Sequence, residues 1–328
     1  VARALAPLGA LYGAIAAARF SLTKPYRAGL PVICVGNFTA GGTGKTPLVV
    51  HLCRRLVAAG RKPMALTRGH GGRTRGPHRV GAGDTAADVG DEALLLAQAA
   101  PTLVARNRAD GARAIEASGD ADAIVMDDGL QNPQLAKDLR LAVVDGARGL
   151  GNGRVMPAGP LRAPLDFQLR LADAIVVNAA AGGGGDVAGW LRQRFDGPVL
   201  RCATVPAGDV RWLERQRVVA WAGIGAPQRF FAMLEALGAV PAARIAFGDH
   251  QRLRHRDAMR LLDLARQHRA LLVSTEKDLA RLPGGAGALA RLAAATRVLA
   301  VKTEFTEADA ERLDMLVDRA LERQLGQP

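Results

Sequence analysis

Short apolar runs rich in Val, Ile, Leu and Ala recur along most of the chain, at Pro31–Gly36, Pro63–Thr67, Thr102–Ala105, Ala123–Met126, Leu139–Val144, Ala174–Val177 and Val199–Thr204. Helical stretches separate them. This alternation predicts βαβ units and an α/β fold with a mostly parallel sheet flanked by helices. Each run is followed by Gly, Asp, Asn or Arg, and in open parallel sheets the ligand crevice lies outside the carboxyl ends of the strands, so the chemistry is expected there. Pro206-Ala207-Gly208-Asp209 marks a break. After it, Val218–Ala222, Arg244–Phe247, Ala270–Ser274 and Val298–Val301 begin a second alternating set. The expected division is an N-terminal segment at 1–22, a larger unit at 23–208 and a smaller α/β unit at 209–328. Gly182–Gly185 reads as a loop tip, and the last twenty residues read as a charged amphipathic helix.

The segment Ala4–Ala18 is uncharged, mostly apolar and bounded by Arg3 and Arg19. As a helix it would reach about 22 Å, short of the roughly 30 Å hydrocarbon core of a bilayer. Leu5, Leu8, Leu11, Tyr12 and Ile15 recur at helical spacing. The pattern is compatible with a helix lying in a membrane interface, with an ordinary core helix, and with a cleaved signal peptide ending at Ala16-Ala17-Ala18.

Nearly half of the 328 residues are apolar, which is enough for a substantial core and excludes fibrous and disordered classes. The net charge of +13 predicts a positive field towards phosphate-bearing partners. With 4% aromatics and no nucleic-acid reader fold in the pattern, nucleic acid ranks low among them. Cys34, Cys53 and Cys202 are odd in number and widely spaced, which points to neither a disulfide framework nor a zinc site and fits a reducing cytoplasm.

The strongest chemical signal follows the first strand. Thr39-Ala40-Gly41-Gly42-Thr43-Gly44-Lys45-Thr46 is a glycine-rich turn leading into a helix. Bare glycines let backbone N–H groups close on the phosphates of a nucleoside triphosphate, Lys45 adds a point charge, and the Thr46 hydroxyl suits Mg²⁺. The strict P-loop pattern has glycine where this chain has Thr39. Ala40 excludes the variant with a second lysine before the paired glycines. Lys277-Asp278 fails the spacing with which GTPases read guanine, so ATP is the expected nucleotide.

A Mg·ATP site needs a carboxylate at the end of a neighbouring strand, and Asp127-Asp128 after Ala123–Met126 meets that need. Adjacent carboxylates repel unless a cation neutralises them, although a plain Asp-Asp-Gly strand-end turn is the alternative. Asp145 is a weaker competitor for the same role. Asp91, in Gly90-Asp91-Glu92, is either a functional carboxylate or a helix cap. His250 follows a strand of the second set, and Thr275-Glu276-Lys277-Asp278 has the form of a capping box.

Taken in order, these pieces resemble the tetraacyldisaccharide 4'-kinases, the lipid A 4'-kinases of Gram-negative bacteria. The matching stretches are Val35-Gly36-Asn37 through Pro47, Thr67–Gly72, Val89–Glu92, Asp127–Gln131, Gly151–Arg154, Pro157–Arg162, Ala222-Gly223-Ile224, Phe247 with Asp249-His250, and Thr275–Asp278. The resemblance implies a P-loop kinase domain and a smaller α/β domain that close on ATP. It implies transfer of phosphate to the 4'-hydroxyl of a tetraacyldisaccharide 1-phosphate, giving lipid IV-A. It also implies an N-terminal helix dipped into the cytoplasmic face of the inner membrane, making the protein peripheral or monotopic.

Carried over by position, Asp91 would be the general base, His250 would orient it, and Lys45 would neutralise charge on the transferring group. Thr46, Asp127, Asp128 and Glu92 would hold Mg²⁺. Arg68, Arg73, Gln131, Arg154 and Arg162 are the candidates for contact with the lipid substrate. The chain departs from the family pattern at His70, Leu130, Asn132 and Ala163, where Tyr, Phe, His and Glu are usual. The rival functions are a regulatory or chaperone-type P-loop ATPase and a nucleotide-binding module without catalysis.

Overall fold

The computed structural model describes residues 2–179 and 186–325, so the expected loop tip at Gly182–Gly185 lies outside the described residues. Thirteen strands are described: β1 (Val32–Asn37), β2 (Pro63–Thr67), β3 (His78–Arg79), β4 (Thr102–Val104), β5 (Ala123–Asp127), β6 (Leu139–Asp145), β7 (Ala174–Asn178), β8 (Val199–Pro206), β9 (Arg217–Ala222), β10 (Val240–Ala246), β11 (Leu271–Thr275), β12 (Thr296–Leu299) and β13 (Val301–Phe305). Between them run α1 (Ala6–Leu22), α2 (Lys45–Ala58), α3 (Ala86–Val89), α4 (Asp91–Ala97), α5 (Arg108–Ser118), α6 (Leu165–Leu171), α7 (Val187–Arg192), α8 (Pro227–Ala236), α9 (His255–His268), α10 (Glu276–Ala280) and α11 (Ala288–Ala295), with α12 (Glu307–Leu325) last.

The strands form two sheets, one in the order β13-β8-β7-β6-β1-β5-β2-β4-β3 and one in the order β10-β9-β11-β12. The expected α/β architecture is the one found. In β1 the side chains alternate between the two faces. Ile33 and Val35 pack with Leu48 and Leu52 of α2, Leu96 of α4 and Leu313 and Val317 of α12. Val32 and Cys34 pack on the opposite face with Ala112 and Ile115 of α5. Helices on both faces explain why the central strands read as continuous apolar runs. In the smaller sheet, α8 covers one face through Phe230, Phe231 and Leu234, and α9 and α11 cover the other through Leu261 and Leu292.

The topology corrects the expected 209–328 unit. The apolar run at Val298–Val301 contains a crossover between sheets: β12 pairs with β11, whereas β13 runs antiparallel to β8 in the larger sheet. α12 then buries Leu313, Val317, Ala320 and Leu321 in the larger core. The smaller sheet is thus an insertion between β8 and β13. The edge strand β3, only His78–Arg79, carries no apolar pattern and had no sequence signal.

β1 lies between β5 and β6, with β2 and β4 beyond one and β7 and β8 beyond the other. The chain direction across the sheet reverses here, and a cleft opens at the carboxyl ends of such strands.

α1 is not a core helix. It docks through two buried glycines, and a Cβ on Gly9 would stand 2.7 Å from the carbonyl oxygen of Val155, while one on Gly13 would stand 3.0 Å from Pro164. Leu8, Leu11 and Ile15 are 55–60% exposed on its other faces. Among the described residues, no helix is long and apolar enough to cross a membrane. Gly9→Leu should therefore undock α1, because overpacking of this kind costs about 1–3 kcal/mol. The expected result is faster limited proteolysis between α1 and β1 with the main thermal transition kept; unchanged cleavage would contradict the docking.

Candidate active site

The glycine-rich loop leaves β1 and enters α2 at the cleft. Thr39 is buried, forms an isolated bridge with Leu161, and is not among the residues with positive φ. Ala40 donates its N–H to the carbonyl of Pro160 at 2.8 Å. Strand-like pairing thus holds the first half of the loop, and a β-branched residue fits at 39 without strain. Gly41 and Gly42 are exposed, as a phosphate cradle requires. Gly44 has φ of 90°, and a Cβ there would meet Asn178 Nδ2 at 2.1 Å. Asn178 donates to the Thr43 carbonyl at 3.0 Å and Asn37 donates to Thr43 Oγ1 at 3.3 Å, which sets the loop from behind. Lys45 and Thr46 open α2.

Asp127 ends β5, fully buried, and neither carboxylate oxygen has a hydrogen-bond partner. Burial, with the nearby charges of Glu92 and Asp128, pushes its pKa up. Asp128, in the left-handed region with φ of 51°, is bound by Arg162 Nη1 at 2.9 Å and lies 3.6 Å from Lys45 Nζ. Burial opposes its ionisation, but Lys45 and Arg162 outweigh that and lower its pKa. Glu92 pairs with Lys277 at 2.9 Å. Among the described residues no three His, Cys, Asp or Glu side chains already form a metal cluster. The expected set is held apart because Glu92 and Asp128 face cations, while Asp127 alone keeps two unpartnered oxygens. Asp127 thus has two oxygens available to a divalent cation, and Thr46 lies in the first turn of α2.

Asp91 is the first residue of α4, after the N-cap Gly90, and its Oδ1 accepts the N–H of Glu92 at 2.9 Å. His250 arrives from the loop after β10, with Nδ1 3.2 Å from Asp91 Oδ2. The two residues from different sheets therefore meet. Arg281, just past α10, also binds Oδ2 through Nε. Burial alone would raise Asp91, but the His250 hydrogen bond and the charges of Lys277, Arg281 and His250 prevail and hold it well below the usual carboxylate range. The His70 ring meets His250 edge-on at 4.8 Å.

Thr275 caps α10 by accepting from Asp278 N, which is half of the expected capping box; the Asp278 carboxylate engages the Thr275 hydroxyl and not its N–H. The buried Asp278 also accepts the Gly223 N–H at 2.9 Å, joining two motifs that are distant in sequence. Beyond Gly223, the loop places Gly225 over the cradle, where an added Cβ would lie 2.6 Å from Gly42 N. Arg148 donates to the Gly225 carbonyl at 3.2 Å, and Arg229 pairs with Asp145. Asp145 thus braces the two units through Oδ1, while its Oδ2 is buried without a hydrogen-bond partner.

The lipid-contact candidates differ in their surroundings. Arg68 and Arg154 are exposed, and Arg73 pairs with Asp88 of α3. Gln131 Nε2 donates to the Asn37 carbonyl at 2.7 Å and to Gln168 Oε1 at 2.6 Å, so it ties β1 to α6. Arg162 is the candidate with an ion pair at the carboxylate edge. Sequence reasoning missed Arg281, Lys277 as the partner of Glu92, and Asn178. Arg281 had a signal: it stands three positions after Asp278, on the same face of a helix that starts at the cleft.

Residues 1–322 match the family model described as tetraacyldisaccharide-1-P 4'-kinase. The tetraacyldisaccharide 4'-kinase of Nitrobacter winogradskyi is 49% identical over 314 residues, covering 95% of this chain and 92% of the relative. That of Methylorubrum extorquens strain PA1 is 50% identical over 311 residues, covering 94% and 93%. The chain belongs to the tetraacyldisaccharide 4'-kinase family. The crystal structure of LpxK from Aquifex aeolicus in complex with ATP has the same fold, with a TM-score of 0.76, 23% identity and coverage of 98% of this chain and 99% of that one.

The raised pKa of Asp127, to about 7, has a definite sign. From the ordinary carboxylate range near 4 up to about 7, the folded protein keeps a proton that the unfolded chain has lost, so stability falls as pH rises. In metal-free buffer Asp127→Asn should raise the Tm at pH 8 by at least about 2 °C and by much less at pH 5. Calorimetry in EDTA checks this; a lower Tm at pH 8 would count against an unpaired, ionised carboxylate.

Proposed function

We propose that this chain transfers the γ-phosphoryl group of ATP to the 4'-hydroxyl of a tetraacyldisaccharide 1-phosphate, giving lipid IV-A. The observation that carries the chemistry is the meeting of Asp91 and His250 beside the glycine-rich loop, each supplied by a different sheet. Such a site receives a triphosphate on one side and an acceptor hydroxyl on the other. A regulatory ATPase needs no second acceptor site, and the family membership does not favour that reading.

The residues divide the work as follows. The backbone of Thr39–Gly44 and the Lys45 ammonium bind the phosphates and spread the charge that builds on the transferring group. Asp127 and Thr46 would hold Mg²⁺, joined by Asp128 and Glu92 on exchange of their present partners; the ion supplies charge neutralisation at the phosphates. As the acceptor oxygen bonds to the γ-phosphorus, the bond to the ADP oxygen breaks and the hydroxyl proton passes to Asp91. Phosphoryl transfer is loose, so the proton leaves late, and an oriented, ionised acceptor serves better than a strong base. His250 donates to Asp91 and orients it. Arg162, at the cleft and bound to Asp128, is the strongest candidate for the lipid's own phosphate.

α1 lies in the membrane interface at the cytoplasmic face of the inner membrane. Support comes from its docking through glycines, which leaves Leu8, Leu11, Tyr12 and Ile15 exposed with Arg19 near its end. Apolar burial of such a face, with cations at the headgroups, gives reversible attachment.

Incubation with Mg·ATP and the tetraacyl disaccharide 1-phosphate should give a product with a second phosphate; ATP hydrolysis without transfer would leave the ATPase reading. Lys45→Ala should reduce transfer on the order of 100-fold or more with the fold intact. Asp91→Ala should lower kcat by about 100-fold or more while the KM for ATP changes little. A loss confined to ATP affinity would place Asp91 with the metal instead. Deleting residues 1–22 should release the protein from liposomes of anionic lipid, as read by sedimentation, and continued co-sedimentation would rule out α1 as the anchor.

A further inference from the structure

The Asp91 carboxylate is held by more than the histidine. Its Oδ2 accepts from Arg281 Nε and lies 3.2 Å from His250 Nδ1, and its Oδ1 accepts from Glu92 N. Each carboxylate oxygen offers two acceptor sites. With a proton on His250 Nδ1 both Oδ2 sites are filled, and Oδ1 keeps one site.

Arg281 is fixed by its own sheet. Its Nη1 donates to the Gly223 carbonyl at 2.6 Å and to Asp278 Oδ1 at 2.9 Å, and the side chain is only 6% exposed. Asp278 is itself locked by Thr275 Oγ1 and Gly223 N. A planar guanidinium anchored at Nη1 presents Nε in one direction, which a flexible ammonium does not do. The Nη2 atom is buried without a hydrogen-bond partner. The guanidinium is thus placed by Gly223, Asp278 and Asp91, and not by saturation of its donors.

We propose that Arg281 is a positioning residue for phosphoryl transfer: it sets the orientation of Asp91 across the cleft and so reserves one Oδ1 site for the acceptor hydroxyl. The proposal rests on the reading of Asp91 as the proton acceptor. His250 and Arg281 both come from the smaller sheet, whereas Asp91 belongs to the larger one. Asp91 is accordingly oriented only while the two units are together, and contact between α10 and α4 becomes a condition of the chemistry.

The test is a double-mutant cycle on the full chain, with kcat and the KM for ATP measured for Arg281→Met, Arg281→Lys, Asp91→Ala and each Arg281 variant combined with Asp91→Ala. Arg281→Met should lower kcat about 10- to 100-fold, the scale expected for a misplaced catalytic group, with the KM for ATP within about twofold. Arg281→Lys keeps the charge but not the planar anchor and should recover little of the loss. Once Asp91 is absent, either Arg281 change should cost less than about twofold, because coupled residues are non-additive. Undiminished kcat in the Arg281 variants, or equal losses in both backgrounds, would overturn the proposal; the second is what a merely structural role gives. If Arg281→Met does not fold, Arg281→Lys carries the cycle alone. Near-normal kcat for Asp91→Ala would overturn the proton-acceptor reading and this proposal with it, whereas additive losses beside an impaired Asp91→Ala overturn this proposal only.

Discussion

Four carboxylates, Asp91, Glu92, Asp127 and Asp128, share one poorly solvated edge of the larger sheet, and their mutual repulsion is the constraint that the site is built to meet. Like charges at such separations cannot all stay ionised without compensation. The chain supplies cations from several directions, the buried Arg108 of α5 among them. Lys45 comes from the glycine-rich loop, Arg162 from the segment beneath it, and Lys277 and Arg281 from the smaller sheet. Asp127 alone is left unpaired. The same arithmetic of charge that makes room for a divalent cation also draws the smaller sheet against the larger one.

The segment Val155–Pro164 joins this edge to the proposed membrane surface. Gly9 and Gly13 of α1 rest against Val155, Ala158 and Pro164. A few residues on, Pro160 accepts from Ala40, Arg162 N donates to the Phe38 carbonyl, and the Arg162 side chain binds Asp128. One irregular stretch therefore touches the N-terminal helix, the phosphate loop and the acidic edge. An acceptor held at an interface would reach a site fixed relative to that interface through short, hydrogen-bonded backbone and not through a mobile linker.

Much of this was legible along the chain. The central strands announce themselves because helices cover both their faces, so most positions in them are apolar. The loop Thr39–Thr46 was readable because phosphate binding needs glycines followed by Lys-Thr, in that order, between a strand and a helix. Departures from the family pattern find local explanations as well: Leu130 is buried against Gly36, where no Cβ would fit, and Asn132 caps its own turn by accepting from Gln134 N. Other readings could not be made from sequence. Gln131 and Arg73 have side chains suited to a lipid phosphate but spend them on Gln168, the Asn37 carbonyl and Asp88. The smaller unit's true end was hidden because the short apolar run Val298–Val301 spans the passage from β12 to β13, which belong to different sheets.

By itself the sequence determined most of the strand and helix segments, the phosphate loop, the acidic pairs and the apolar N-terminal helix, since each depends on neighbours within a few residues. Only the tertiary structure decided which charges face one another. That Arg281 and His250 share one oxygen of Asp91 and that Lys277 meets Glu92 are consequences of packing one unit against another across more than 150 positions of chain. Local periodicity carries no record of such approaches, because an ion pair requires proximity in space and leaves no regular spacing behind.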